Sequence, residues 1–208
     1  MQELLAILNS LKTEDVSKIV RDRVNDFKRF QRGPSKEIFN ELCFCILTAN
    51  CSAEKCIEVQ NTIGNKFHDL SETELARVLK RCGYRFPNIR AKYIVETREL
   101  QEEVYLNIKN PFNQPDLRKW IVENVRGLGY KEASHFLRNI GFTQYAIIDF
   151  HIIDVLVKFN AIERPKTLTP KKYLEIERIL NNLAKQVNLN LAELDLYLWY
   201  LETGKILK

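Results

Sequence analysis

The stretch Val125–Ser134, VRGLGYKEAS, joins two segments of helical apolar spacing through a pair of glycines, and its reading decides the fold. Upstream lies a helix ending in WIVENV, and downstream KEASHFLRNIG closes on Gly141. Glycines let the backbone turn tightly, and the N–H groups at the start of the second helix can receive an anion without any side chain. This predicts a helix-hairpin-helix in which Gly127 and Gly129 hold a DNA phosphate backbone without reading sequence. The alternative is a plain packing turn between two helices. Lys131 falls in the first turn of the second helix, where the macrodipole favours anions by up to about 1 kcal/mol.

Outward from the hairpin, nearly every ordered apolar segment has the same period. Leu4, Leu5, Ile7, Leu8 and Leu11 form one stripe, Val16, Ile19, Val20, Val24 and Phe27 a second, and Phe39, Leu42, Cys43 and Ile46 a third. Start signals stand at Thr13, Pro34-Ser35, Ser52, Ser71 and Thr169-Pro170, and Gly33, Gly64, Gly83 and Gly141 follow periodic segments as stops. The expectation is an all-α chain of about ten helices with almost no sheet. Proline-rich 109–115 (KNPFNQP) and 163–170 (ERPKTLTP) are the candidate linkers, both too short to separate independent domains.

With 208 residues and 45% hydrophobic content the chain can build a sizeable core. Its net charge of +5 is compatible with a polyanionic partner without proving one. Five cysteines (Cys43, Cys45, Cys51, Cys56, Cys82) are odd in number and clustered, which argues against a secreted disulfide framework and for a reducing, cytoplasmic setting. Their spacing fits neither zinc ribbons nor iron–sulfur runs, and His68, His135 and His151 are scattered, so buried structural thiols and no metal are expected. The N-terminal MQELLAILNSLKTEDVSK does not have the form of an export signal. The longest apolar stretches, such as FCILTA, are far too short to cross a bilayer.

Lys131 gains meaning beside Asp149 in YAIIDFHIIDVLVKF, 18 positions on (149 − 131). The apolar approach through Ala146, Ile147 and Ile148 suits Asp149 to cap the next helix, which is its ordinary reading. The chemical reading starts from the lysine. An ordinary amine, with a pKa near about 10.4, is protonated at neutral pH and must lose that proton to attack carbon. A helix start and partial burial both push that way, and a nearby carboxylate can accept a proton or stabilise positive charge on a sugar.

Together with ELCFCILTANCSAE, GYRFPNIRAKYIV, GLGYKEASHFLRNIG, AIIDFHI and ELDLYLWYLETGKILK, these features resemble the helix-hairpin-helix DNA glycosylases, and among them the archaeal and thermophile-type 8-oxoguanine DNA glycosylase/lyases. The resemblance implies an all-helical two-lobed fold, with 1–208 as one unit of lobes 35–143 and 1–34 plus 144–208. It implies duplex DNA containing 8-oxoguanine as partner, no cofactor and a monomer, with the damaged nucleotide flipped out of the stack. Lys131 would attack C1′, expel the base and form a Schiff base leading to strand cleavage, with Asp149 assisting. Phe86, Trp199 and Lys208 would contact the base, and Asn50 would fill the gap left in the duplex, although an asparagine ending a helix is an equally good reading of Asn50. Relatives commonly carry arginine where this chain has Phe150, which puts a local phosphate contact in doubt. The four-cysteine iron–sulfur loop of another subgroup has no counterpart here.

The stretch ARVLKRCGYRFPNIRAKY holds Arg77, Lys80, Arg81, Arg85, Arg90 and Lys92 with no acid, interleaved with Tyr84, Phe86 and Tyr93. Cations for phosphates and aromatics for bases suit a DNA-facing surface, with Arg85 a candidate contact. A solvated helix face with a few core aromatics is the competing reading. Two other functions stay open: a helix-hairpin-helix glycosylase for an oxidised pyrimidine or mismatched base, and a non-catalytic DNA-binding module.

Overall fold

The computed structural model describes residues 1–110 and 116–208. Among these it contains twelve α-helices, two short 3-10 turns and no strand. The all-α expectation holds, with twelve α-helices among the described residues where about ten were expected. Most of the candidate linker 109–115 lies outside the described residues, with Lys109 ending one helix and Asn110 capping it.

Two compact units divide the chain. One comprises Met1–Lys28 with Leu137–Lys208, and the other Arg29–Phe136. These divisions fall inside helices α2 (Val16–Phe30) and α9 (Tyr130–Asn139), whereas the lobes expected from the sequence were drawn at the loops near 34 and 143.

In the unit 29–136, α3 (Ser35–Thr48) is the central element. Its run Leu42–Leu47 is entirely removed from solvent, so this part of the helix is apolar on every side rather than amphipathic. Each leucine, isoleucine and phenylalanine of the run contributes about 1.5–3 kcal/mol of burial free energy. Around α3 pack α4 (Ala53–Ile63), α6 (Pro87–Thr97) and α7 (Gln101–Lys109), while α5 (Glu72–Arg81) lies on α6 and α8 (Leu117–Asn124) on α7. Ser52 caps α4 by accepting from the Lys55 amide, and Ser71 opens α5 with a full capping box to Glu74, as their sequence signals predicted. Asp116 caps α8 in the same way and was not anticipated.

In the other unit, α10 (Phe150–Lys158) and α11 (Pro170–Gln186) both pack on α12 (Leu191–Thr203), alongside α1 (Gln2–Leu11) and α2. Thr169 caps α11 as expected, but Thr13 does not cap α2: its hydroxyl donates back to the Ser10 carbonyl and the helix begins at Val16. Gly141 ends α9 with φ +96°, and a Cβ there would lie 2.9 Å from the Lys28 Cα, so the backbone contact with α2 admits only glycine. Arg138, the last basic residue of α9, is buried 3.6 Å from Asp195 and stacks 4.7 Å from the Phe27 ring centroid.

Candidate active site

The hairpin lies between α8 and α9. Gly127 has φ +88°, and a Cβ on it would come within 2.4 Å of the Tyr93 ring and 3.2 Å of the Arg90 guanidinium. No other residue fits, because both the left-handed backbone and the ring forbid a side chain. Gly129 is under no such demand: its φ is not positive, and an added Cβ would meet only the Glu132 carboxylate at 3.4 Å. Its carbonyl accepts the first bond of α9 from Ala133, and its amide donates to Glu132 Oε2 at 3.2 Å. That amide, expected to wait for a phosphate, is thus taken by a carboxylate of the same helix.

Lys131 is the second residue of α9 and about three-quarters buried, its side chain 24% exposed. Its Nζ lies 3.9 Å from Glu132 Oε1, so Glu132 serves both the hairpin amide and the lysine. Behind them, Arg118 of α8 is buried, donates to the Ser134 hydroxyl at 3.2 Å and stacks 5.2 Å from the Tyr130 ring centroid, locking the two hairpin helices together.

Asn50 stands just past the end of α3 with φ +62°, exposed, in the left-handed region that asparagine tolerates best among residues with a side chain. Its structural reading as a helix-ending residue therefore holds, and its exposure leaves the residue accessible from solvent as well. The adjoining thiols differ in setting. Cys43, Cys45 and Cys56 are buried, but Cys51 and Cys82 are partly exposed, which corrects the expectation that all five are core thiols. Burial pushes the Cys56 thiol well above its ordinary pKa, and a hydrogen bond with Cys51 adds to this, while the Lys131 and Arg90 charges pull it back. Among the described residues no group of three or more histidine, cysteine or carboxylate side chains is placed to hold a metal.

The basic stretch does not present one face. Arg77, Lys80, Arg81, Arg85 and Lys92 are exposed, and Arg85 stacks 4.9 Å from the ring centroid of half-exposed Phe86. Tyr84 and Arg90, however, are buried and point inward, correcting their assignment to a DNA-facing surface. The Tyr84 hydroxyl donates to the Leu47 carbonyl at 2.6 Å, and Arg90 donates to the Ala49 and Gly127 carbonyls. The sequence signal for this was present, because Arg90 shares the buried face of α6 with Ala91, Ile94 and Thr97.

Asp149, in the other unit, caps α10: its Oδ1 accepts from the Ile152 amide at 3.0 Å. The extended segment before it is held by Tyr173, which no local sequence signal singles out. The buried Tyr173 hydroxyl accepts from the Ile148 amide at 3.1 Å and donates to the Ala146 carbonyl at 2.7 Å, while Glu177 accepts from the Ala146 amide at 2.9 Å. After Asp149 comes a ladder of rings. Phe150, 64% exposed, lies 3.9 Å from His151, which meets Trp199 edge-on at 4.6 Å. Trp199 Nε1 is shielded from solvent and has no hydrogen-bond partner among the described residues. Lys208 is half-buried.

An all-helical chain whose glycine hairpin opens onto a lysine-bearing helix has the build of the helix-hairpin-helix DNA-repair class. Residues 20–189 match the model of the family described as 8-oxoguanine DNA glycosylase. The chain is 46% identical over 209 residues to an 8-oxoguanine DNA glycosylase/AP lyase of Korarchaeum cryptofilum, covering 100% of this chain and 99% of that protein. To the enzyme of the same description from Methanocaldococcus jannaschii it is 47% identical over 210 residues, covering 99% of each. The crystal structure of the M. jannaschii glycosylase/lyase with a 15mer DNA containing 8-oxoguanine superposes with a TM-score of 0.92 at 46% identity, covering 99% of this chain and 100% of that one. This chain belongs to the 8-oxoguanine DNA glycosylase family.

Proposed function

We infer that this chain is a bifunctional enzyme that removes 8-oxoguanine from duplex DNA and cleaves the strand at the resulting abasic site. The observation that carries this reading is identity of 46–47%, over almost the full length of both chains, to 8-oxoguanine DNA glycosylase/AP lyases. The position of Lys131, second in the helix that leaves the hairpin, supports the chemistry.

In that chemistry the Lys131 amine forms a bond to C1′ as the bond from C1′ to the base breaks, and the base departs with its electron pair and takes up a proton. Opening of the sugar gives an imine between Lys131 and C1′. Loss of a C2′ proton then expels the 3′ phosphate, and hydrolysis of the imine frees the lysine. Asp149, carried on the rigid start of α10, assists by accepting a proton or by stabilising charge on the sugar. Phe86, Trp199 and Lys208 are the proposed contacts to the base, Trp199 with a shielded N–H that lacks a partner among the described residues. Asn50, Arg85 and Gly127 are the proposed contacts to the rest of the duplex, and Gly129 joins them where its amide exchanges the Glu132 carboxylate for a phosphate. No cofactor enters these steps, the protein acts as a monomer, and its place is inside the cell with DNA. No helix among the described residues is long and apolar enough to cross a membrane.

Borohydride trapping on a duplex with 8-oxoguanine tests the reading. The wild-type protein is expected to form a covalent complex that Lys131→Gln abolishes. Absence of the complex, or equal trapping by the variant, overturns the mechanism. Preference for another lesion in a panel of duplexes overturns the substrate. Asp149→Asn is expected to slow turnover by far more than it weakens binding, and equal losses in both would leave Asp149 as a helix cap alone.

A further inference from the structure

Arg90 is a buried cation with an unusual set of partners. It is 8% exposed, and none of the ion pairs among the described residues involves it. Nη2 donates to the Ala49 carbonyl at 3.1 Å and Nη1 to the Gly127 carbonyl at 3.4 Å, while Nε is buried without a hydrogen-bond partner among the described residues. The Tyr93 ring takes up the remaining charge on one side, with the Arg90 guanidinium 5.7 Å and that of Arg126 5.6 Å from its centroid. Burying a guanidinium without a carboxylate is costly, and plain packing on this face of α6 would be served better by an aliphatic side chain.

The two carbonyls explain its presence. Ala49 immediately precedes Asn50 at the open end of α3, where carbonyls lack partners within the helix. Gly127 lies in the hairpin turn, four positions before Lys131. We propose that Arg90 is a positioning residue for base excision, a single planar fork that ties the turn bearing Asn50 to the turn that delivers Lys131. The nitrogens of a guanidinium sit at fixed separation, so holding both carbonyls fixes the distance between the turns, which the point charge of a lysine cannot do. The Tyr93 ring, pressed against Gly127 and stacked on the same guanidinium, keeps the fork aimed. In this arrangement the residue proposed to enter the duplex gap and the nucleophile move as one body. This function rests on the excision activity inferred above, although the linkage between the turns does not.

The test uses the full chain with Arg90→Lys, and Arg90→Met beside it. Amide hydrogen exchange without DNA reads the linkage: exchange at 50–51 and 127–132 should rise in Arg90→Lys by about 10-fold or more while the rest of α3 is unchanged. Single-turnover removal of 8-oxoguanine should fall by about 10- to 100-fold, as a displacement of about 1 Å at a nucleophile produces, with binding to a duplex carrying a tetrahydrofuran abasic analogue within about 3-fold of wild type. Exchange and excision in Arg90→Lys that match wild type would overturn the proposal, since a merely structural cation is replaced by lysine. Excision and binding that fall in proportion would overturn it as well, by making Arg90 a DNA contact. Should Arg90→Met fail to fold, the Arg90→Lys result decides alone. A wild-type protein inactive on 8-oxoguanine whose hairpin still loosens in Arg90→Lys would sink the substrate reading and leave the linkage standing.

Discussion

Replacing Gly127 by alanine probes the hairpin most directly, and its cost can be worked from the structure. The backbone at φ +88° is a conformation that costs a residue with a Cβ about 1–2 kcal/mol. The new methyl would stand 2.4 Å from Tyr93 Cδ2 and 2.9 Å from Cε2, distances at which the ring must move. Overpacking of this kind costs about 1–3 kcal/mol. Alanine also narrows the unfolded ensemble, which returns about 0.4–1 kcal/mol. The net loss is about 1–4.5 kcal/mol, to be set against the about 5–15 kcal/mol that holds a typical domain. Thermal unfolding should show it as a drop of about 2–18 °C. Gly129→Ala is the matched comparison: its φ is not positive and its Cβ would meet a carboxylate at ordinary contact distance, so the loss should stay within the about 1 kcal/mol that a poorer helix cap costs. Urea unfolding of the two variants beside the wild type measures the difference. Equal losses at the two glycines, or a Gly127→Ala midpoint unchanged from wild type, would refute the assignment of the Tyr93 contact as the reason for glycine.

Tyr173→Phe removes one hydroxyl and leaves the buried Ile148 amide and Ala146 carbonyl without it, at an expected cost of about 1–3 kcal/mol by urea unfolding. Because that hydroxyl secures the segment leading to Asp149, single-turnover excision should fall more than duplex binding; equal falls would count against a link to Asp149. The buried Cys56 thiol and Tyr84 phenol have folded-state pKa values raised above 9.0 and 10.0 respectively, chiefly by burial. The folded protein therefore holds these protons more tightly than the unfolded chain. Their contribution is fully present below pH 9.0 and is lost as pH climbs above it, so urea midpoints should decline from there upward. Cys56→Ala, though less stable at neutral pH, should show a shallower alkaline decline, and an unchanged slope would exclude Cys56 as a source.

Local signals made most of the fold legible. Periodicity of 3.6 and side chains such as Ser52, Ser71 and Thr169 act within one turn, and the helices they predicted formed where their caps accept backbone amides. Asp149 belongs with them, since its bond to Ile152 spans three residues. Tyr173 could not be found this way, because its hydroxyl reaches the Ile148 amide across 25 positions of sequence. The hairpin glycines were legible as a pair, but the reason that separates them was not: the Tyr93 ring approaches Gly127 alone. Arg90 was misread for a different reason. Counting charge along the stretch from Arg77 to Lys92 treats every cation as solvent-facing, whereas the helical register of Ala91, Ile94 and Thr97 puts Arg90 on the inward face. Periodicity held more information there than composition did.

That register also bears on why a lysine stands at the positive end of a helix dipole. At N3, one residue beyond Lys131, Glu132 supplies the anion that the first turn favours, accepting from the Gly129 amide and lying 3.9 Å from Lys131 Nζ. The misfit of the lysine is thus offset within its own turn, while the side chain stays about three-quarters buried instead of escaping to solvent. The chain at the hairpin end of that turn is fixed by Arg90 and Tyr93 at Gly127, and the body of the helix by Arg118 at Ser134. Three neighbouring contacts therefore restrict where the Lys131 backbone can be, and none of them consumes its amine in a hydrogen bond shorter than 3.5 Å. These contacts fix the backbone from which the Lys131 side chain springs, and a fixed base is what its proposed role as nucleophile requires.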